Sequence, residues 1–248
     1  MKKYKNAFWR LLYRLHRYIG LVSAIVLIII SITGIALNHT EDLMLDSQMI
    51  ASDAILDWYG IESPSHLKTY ATENHWLTQI NQQIYFDHSM LLKNEQELLG
   101  VVETAEFIVA ALSDSLLLIS LQGELIEQSS MSGVELIGVD QQQHIVVKSA
   151  SGIVYSDDGL LSWYPYINEM LLWSKAKMLP DEDELTIKNS FRSSILPMER
   201  VILDLHSGRF FGNVGVIIVD ISGVLLILLA LSGCAIWLKH KLRVFKRR

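Results

Sequence analysis

The segment from residue 19 to residue 37, IGLVSAIVLIIISITGIAL, contains 19 residues and no charged side chain. At 1.5 Å per residue, a helix of this length spans ~28 Å, close to the ~30 Å hydrocarbon core of a bilayer. A second apolar segment, residues 214–238, carries Asp220 as its single charged residue. The sequence therefore predicts a membrane protein with one transmembrane helix near each end.

The first apolar segment differs from a cleaved signal peptide. A signal peptide has an apolar core of about 7–15 residues and ends in a small-x-small cleavage site. Here the apolar run is longer, and it is followed by Asn38-His-Thr-Glu-Asp42. We therefore interpret the segment as a retained signal-anchor.

Basic residues are concentrated at the two ends of the chain. Residues 1–17 and residues 239–248 each carry six Lys or Arg and no acid. Between the two apolar segments lie 26 acidic and nine basic residues, a net charge of −17. Positive ends stay on the cytoplasmic side of a membrane. We expect both termini in the cytoplasm and an exported central region.

The central region alternates between short apolar runs and polar turns. Strand, turn and strand recur with a period of about 30 residues, which predicts an antiparallel β-meander over about 76–163. Three repeats are too few to close a propeller, so we expect a small sheet or a sandwich. The predicted fold is a two-helix transmembrane hairpin with an exported, β-rich α+β domain between the helices. Its parts are a basic flank (1–17), transmembrane helix 1 (18–38), the periplasmic domain (39–205), a juxtamembrane segment (206–213), transmembrane helix 2 (214–238) and a basic tail (239–248).

Four histidines bracket the two apolar segments: His16 and His39 the first, His206 and His240 the second. In a hairpin, His39 would meet His206 near the exported face, and His16 would meet His240 near the cytoplasmic face. Two bis-histidine b haems need this arrangement, because haem iron accepts neutral imidazole from facing helices. As alternatives, a solvated basic flank explains His16 and His240, and the small residues of both helices serve helix packing alone.

Other polar residues receive simpler interpretations. Asp220 is costly in apolar surroundings, so we expect it to face the bundle interior, with a serine, a histidine N–H or a basic group as its partner. Cys234 is the single cysteine, which excludes an intramolecular disulfide and a cysteine-based zinc or iron–sulfur site. The histidines of the central region share no spacing and read as ordinary surface or core residues; they are His66, His75, His88 and His144.

The flanks of both apolar segments resemble a known family, the PepSY-associated transmembrane (PepSY-TM) proteins. The resemblance covers the two helices and their flanks, and several spaced positions agree together. The matching stretches are Leu15-His-Arg-Tyr-Ile-Gly-Leu21, Thr33-Gly-Ile-Ala-Leu-Asn-His39, Leu205-His-Ser-Gly-Arg209 with Gly212, and Leu231-Ser-Gly233 with Trp237.

The resemblance implies a b-type haem protein in the inner membrane of Gram-negative-type bacteria, with its central domain in the periplasm. Larger members have four helices and are similar to haem-containing reductases of ferric siderophores, in which histidines at the helix ends ligate haem. His16, His39 and His206 fall on the matching motifs, and His240 lies outside them. The resemblance thus implies haem b, a lipid bilayer, a ferric chelate as acceptor and a homodimer that restores four helices.

Two functions remain open at this point. The leading one is transmembrane electron transfer, with possible ferric reductase activity. No Gly-x-Gly-x-x-Gly motif is present, so quinol or a separate redox partner would supply the electrons. The alternative is a cofactor-free membrane-anchored scaffold whose periplasmic domain binds a partner. Two helices make a poor transport pathway, no hydrolase motif is present, and no nucleic-acid partner is expected.

Overall fold

The computed structural model describes residues 2–167 and 171–245 and divides the chain into two compact units. The described parts of Met1–Ala51 and Ser194–Arg248 form a helical unit. Residues Ser52–Ser193 form a β-rich unit. The predicted fold class is confirmed, since two apolar helices flank a β-rich central region.

The helical unit contains three helices: α1 (Lys2–Asn38), α4 (Met198–Ser207) and α5 (Gly212–Phe245). The stretches Trp9–Asn38 and Arg209–Leu242 are long and apolar enough to cross a membrane. The basic flank at residues 1–17 and the first apolar segment belong to one continuous helix from Lys2 onwards. At 37 residues α1 is ~55 Å long, so it extends beyond the hydrocarbon core.

Glycines shape the reversal between α4 and α5. Gly208 ends α4 in the left-handed conformation with φ 78°, and a 3-10 turn at Arg209–Phe211 leads into α5. The backbones of Gly208 and Gly215 then touch: a Cβ built on Gly215 would overlap the carbonyl oxygen of Gly208. His206 therefore lies in the last turn of a separate helix, α4, that is tied to the start of α5.

The β-rich unit consists of three antiparallel sheets that follow one another along the chain. The first two are four-stranded meanders, and the third has the order β12-β11-β10-β9-β13. The strands are β1 (Lys68–Ala71), β2 (Trp76–Ile80), β3 (Gln83–Phe86), β4 (Ser89–Lys93), β5 (Leu98–Glu103), β6 (Phe107–Leu112), β7 (Ser115–Ser120), β8 (Leu125–Ser130), β9 (Val134–Asp140), β10 (Ile145–Ser149), β11 (Gly152–Ser156), β12 (Tyr164–Pro165) and β13 (Leu171–Trp173).

The antiparallel meander is confirmed, but the expectation of one small sheet or a sandwich is wrong. Each repeat of about 30 residues forms its own sheet, in which short turns join neighbouring strands and β13 returns to pair with β9. Asn81 and Gln143 adopt left-handed φ values of 53° and 67° at two of these turns. Gly123, with φ 83°, occupies another, between β7 and β8.

The second sheet lies between the other two, and its strand β6 shows why. Ile108, Ala110 and Leu112 belong to an apolar cluster with residues of the first sheet. Val109 and Ala111 belong to a second cluster, with residues of the third sheet. Successive side chains of a strand point to opposite faces, so a continuous apolar strand is buried on both sides. Two such cores stabilise this unit without a disulfide.

Two helices cover one end of the β-rich unit: α2 (Asp53–Trp58) and α3 (Asp181–Ser193). Ile187 and Phe191 of α3 are buried against Ile80 and Tyr85 of the first sheet. Arg192 fixes α2 to α3, since its guanidinium donates to Asp53 at 2.8 Å and to Asp57 at 2.5 Å.

We predict that Gly215→Ala destabilises the helical unit by about 1–3 kcal/mol, the usual cost of forcing an extra carbon into a close-packed contact. The added Cβ would push the backbone of α5 away from Gly208. Thermal unfolding in detergent, followed by circular dichroism, measures the effect. Gly20→Ala is the matched control, because a Cβ there meets only Leu229, at an ordinary van der Waals distance of 3.8 Å. Equal melting temperatures for the two variants would contradict the prediction.

Candidate functional site

His206 of α4 rests on α1 at a threonine–glycine pair. Its Nδ1 lies 3.1 Å from the carbonyl oxygen of Ile30 and 3.0 Å from Oγ1 of Thr33. A Cβ built on Gly34 would be 3.1 Å from Cε1 of the imidazole, so the absence of a side chain at Gly34 lets the ring approach α1. The site therefore combines a hydrogen-bond acceptor with a flat, open stretch of backbone.

His16 of α1 makes a similar contact with α5. Its Nδ1 lies 2.7 Å from Oγ of Ser232. A Cβ built on Gly233 would be 3.5 Å from Cε1 of the ring, an ordinary van der Waals distance. In both cases a histidine from one helix packs on a hydroxyl–glycine pair of another.

The two hydroxyl–glycine pairs stand in related stretches of sequence. Residues 33–37 read TGIAL and residues 232–236 read SGCAI. Because α1 and α5 run antiparallel, the two contacts lie toward opposite ends of the helix pair. Sequence analysis noted the small residues but missed that each pair receives a histidine. The shared pattern of a hydroxyl residue, glycine, any residue and alanine is the signal that could have shown it.

The hydrogen bonds determine which ring nitrogen carries the proton. The carbonyl oxygen of Ile30 can only accept, so His206 must donate from Nδ1. The Ser232 hydroxyl donates to the carbonyl oxygen of Leu229 at 3.0 Å, so its oxygen accepts from Nδ1–H of His16. In the neutral imidazole, a proton on Nδ1 leaves the lone pair on Nε2. Both histidines therefore hold Nε2 ready for a ligand.

The other two bracketing histidines are more exposed. His39 directs Nδ1 at Oδ2 of Asp42, 3.0 Å away, and its side chain is 52% exposed. The carboxylate acceptor again leaves the lone pair on Nε2 of a neutral ring. His240 is exposed on the last turns of α5. The hydrogen bonds of His206 and His16 go to Thr33 and Ser232, and the pairings His39–His206 and His16–His240 remain predictions.

An apolar groove of about 400 Å³ runs along α1 and α5 beside His16. His16 and Ser232 are polar side chains in a lining made otherwise of aliphatic residues and Trp9. Lys239 lies 3.8 Å above the Trp9 ring, at the end of the helix pair. The groove thus offers a flat apolar ligand a wall of α1 and α5 side chains and one imidazole.

Asp220 departs from expectation, because it is exposed and points away from α1. Leu229, which packs on Gly20, marks the face of α5 that lies against α1. It follows Asp220 by nine residues, a rotation of about 180° around the helix. No hydrogen bond or ion pair joins the carboxylate of Asp220 to another described residue. The predicted interior position is wrong for one copy of the chain, because Leu229 and Ser232 face α1 and Asp220 lies on the opposite side.

Histidines of the β-rich unit bind neighbouring carboxylates. His75 pairs with Asp87 and His144 with Asp140, each with 3.0 Å between Nδ1 and Oδ2. His88 reaches Asp183 with its Nε2 at 2.9 Å. Within the described residues, no three His, Cys, Asp or Glu side chains are grouped to hold a metal ion.

A polar cavity of about 600 Å³ opens in the β-rich unit at its turns. Glu106, Asp157 and Asp158 give its lining a negative charge, and His144 faces it from a third turn. Hydrogen bonds from the Ser162 hydroxyl and backbone lower the pKa of Asp158, so this carboxyl stays charged. The cavity therefore favours neutral or cationic molecules over anions.

The family comparison covers nearly the whole chain. The model described as PepSY-associated TM region matches residues 1–240, so the chain belongs to this family. The match extends through the β-rich region, beyond the helices that carried the sequence resemblance. No curated protein and no solved structure matches significantly.

We predict that His16 and His206 populate the Nδ1–H tautomer in the purified protein, because their acceptors bind that proton. Nitrogen-15 NMR of histidine-labelled protein in detergent distinguishes the two tautomers. Ser232→Ala removes the acceptor of His16 and should redistribute its proton while His206 is unchanged. A dominant Nε2–H form at His206 would contradict the assignment.

Proposed function

We propose that this membrane protein of the PepSY-associated family binds b-type haem and carries electrons across the bacterial inner membrane. The observation that carries the proposal is the hydrogen bonding of the His16 and His206 rings. Each donates from Nδ1 to a fixed acceptor and keeps the Nε2 lone pair. A histidine that ligates a metal commonly donates its other ring N–H in this way, which fixes the ring and strengthens the ligand.

The chain's residues fit haem at the His16 groove. A haem is flat and apolar, and the groove supplies aliphatic walls with one imidazole. Gly34 admits the ring of His206 against α1, and the ring of His16 packs beside Gly233. Axial ligation needs one or two imidazoles, so a haem site requires no cluster of three metal-binding side chains. His39 and His240 are the further candidate ligands.

In this proposal His16 and His206 hold haem near opposite faces of the membrane. His16 and Thr33, which holds His206, are 17 residues apart on α1, ~26 Å along the helix axis. When bound, haem supplies a one-electron couple between ferric and ferrous iron. The protein holds the imidazoles, excludes water with its apolar side chains and places one site near each interface.

The charge distribution supports the orientation. Basic residues at both ends favour cytoplasmic termini, and in this proposal the acidic central region lies in the periplasm. His206 and His39 would serve the periplasmic face, and His16 and His240 the cytoplasmic face. Electrons enter from quinol or a separate redox partner, since the chain lacks a dinucleotide-binding motif.

The acceptor in this proposal is a ferric chelate on the periplasmic side. The residues between the helices carry a net charge of −17, and the polar cavity is lined by carboxylates. Such a field repels anionic chelates and attracts neutral or cationic ones. We therefore infer that a ferric siderophore reduced by this protein carries no net negative charge.

A cofactor-free scaffold is the alternative function. The observation that favours it is a set of strongly exposed apolar side chains in the β-rich unit, which a partner protein would cover. They are Leu161, Ile167, Leu172 and Met178, at 82%, 92%, 77% and 90% exposure.

We predict that the protein purified in detergent from haem-replete cells shows the α band of a low-spin b-type haem after reduction. Oxidised and reduced absorption spectra measure it. His206→Ala and His16→Ala should each lower the haem content by at least about half, because each removes an imidazole that would hold the haem iron. His39→Ala and His240→Ala test the remaining candidates in the same assay.

His66→Ala is the matched control, since His66 is exposed and lies in the β-rich unit. It should leave the spectrum unchanged. A colourless wild-type protein from haem-replete cells would reject the electron-transfer function and favour the scaffold.

We also predict that the β-rich unit is periplasmic. Ser151 is exposed in the turn between β10 and β11, so a cysteine there should react with a membrane-impermeant maleimide in spheroplasts. Cys234→Ser provides a background without other thiols. If the cysteine is labelled only after the cells are lysed, the β-rich unit lies in the cytoplasm and the prediction is wrong.

A further inference from the structure

The outer face of α5 carries a heptad pattern that the fold of one chain leaves uncovered. Its residues follow at alternating steps of four and three, the spacing of the a and d positions of a coiled coil. All of them are exposed. This seam consists of Asn213, Ile217, Asp220, Val224, Ile227, Leu231, Cys234 and Leu238.

The outer face of α1 is different. In its apolar segment the exposed residues are aliphatic apart from Ser31 and suit direct contact with lipid. They include Val22, Ile25, Ile29 and Ile32. On α5, the carboxylate of Asp220 interrupts an otherwise aliphatic face about two turns inside the helix. A charged group facing acyl chains is costly, and intramembrane acids therefore face protein or water. The charge singles out α5 as the helix that needs a partner.

We propose that a second copy of this chain packs on the seam, with α5 against α5 in parallel around a two-fold axis. Both copies insert with the same orientation, so their seams align in register and Asp220 meets Asp220. The polar atoms of the two carboxyl groups then face each other in a protein contact and leave the acyl chains. A single polar residue in an apolar seam also fixes register and oligomeric state.

The neighbourhood of Asp220 favours a second copy over a different protein. The apolar members of the seam are aliphatic and complementary to themselves, as in other symmetric helix pairs. Gly223 lies beside the seam, and a Cβ there would meet nothing within 4 Å, so a second helix can approach closely. The inference needs no haem and stands whether or not the protein binds one.

Disulfide cross-linking in membranes tests the interface. In a Cys234→Ser background, we introduce Val224→Cys or Ile217→Cys and oxidise with copper–phenanthroline. Both should give a disulfide-linked dimer, as should Cys234 of the unmodified chain. Ile25→Cys is the matched control: Gly20 packs on Leu229, so the antiparallel register places Ile25 at the depth of Val224, on the outer face of α1. It should remain monomeric.

Asp220 variants test the carboxyl pair. Asp220→Asn keeps a donor and an acceptor and should retain cross-linking at Val224→Cys. Asp220→Ala should lower the association constant of the dimer about tenfold, the scale of one interhelical hydrogen bond. Energy transfer between labelled copies in detergent measures this constant. Unchanged melting temperatures of the β-rich unit verify folding.

Three outcomes would overturn the proposal. The first is equal cross-linking of Ile25→Cys and Val224→Cys. The second is a Val224→Cys variant that cross-links to a different protein and gives no dimer, and the third is an Asp220→Ala variant that dimerises as strongly as the wild type.

Discussion

The contact between each histidine and a hydroxyl–glycine pair holds the helical unit together. His206 ties α4 to α1 through Ile30 and Thr33, and His16 ties α1 to α5 through Ser232. A hydrogen bond across helices stabilises membrane proteins modestly, and lipid offers no competing donor or acceptor. At Gly34 the missing Cβ lets the His206 ring approach α1, whereas a Cβ at Gly233 would make an ordinary contact with His16. The same bonds that join the helices also leave the Nε2 lone pairs available, so structure and proposed chemistry rest on the same atoms.

The β-rich unit is stabilised in a different way. It contains a net negative charge and no cysteine, so its stability comes from burying apolar strands. Strand β6 contributes alternate residues to two separate cores, which is why its sequence is continuously apolar. Most of its described acidic residues are exposed to water, and the buried carboxylate of Asp140 is paired with His144. This arrangement lets a strongly acidic region fold while presenting a negative field to its surroundings.

The helical unit and the β-rich unit both pack closely, but with different side chains. In the helical unit, small residues allow backbones to approach, as Gly208 and Gly215 show at the start of α5. In the β-rich unit, large aliphatic side chains fill the space between sheets. The difference follows from the solvent: apolar burial drives folding in water, whereas helices in lipid gain from close packing and hydrogen bonds.

The sequence alone determined the two transmembrane helices, the charge asymmetry and the antiparallel hairpins, because these depend on local composition and on turns a few residues long. It also pointed to His16 and His206 as candidate site residues. The tertiary structure decided that each repeat forms its own sheet, that the histidines bind hydroxyl–glycine pairs, and that Asp220 faces outward. These features depend on which residues meet across long sequence separations and on the rotation of each helix about its axis. A shift of one residue turns a helix by about 100°, so only packing decides which side chain meets a partner.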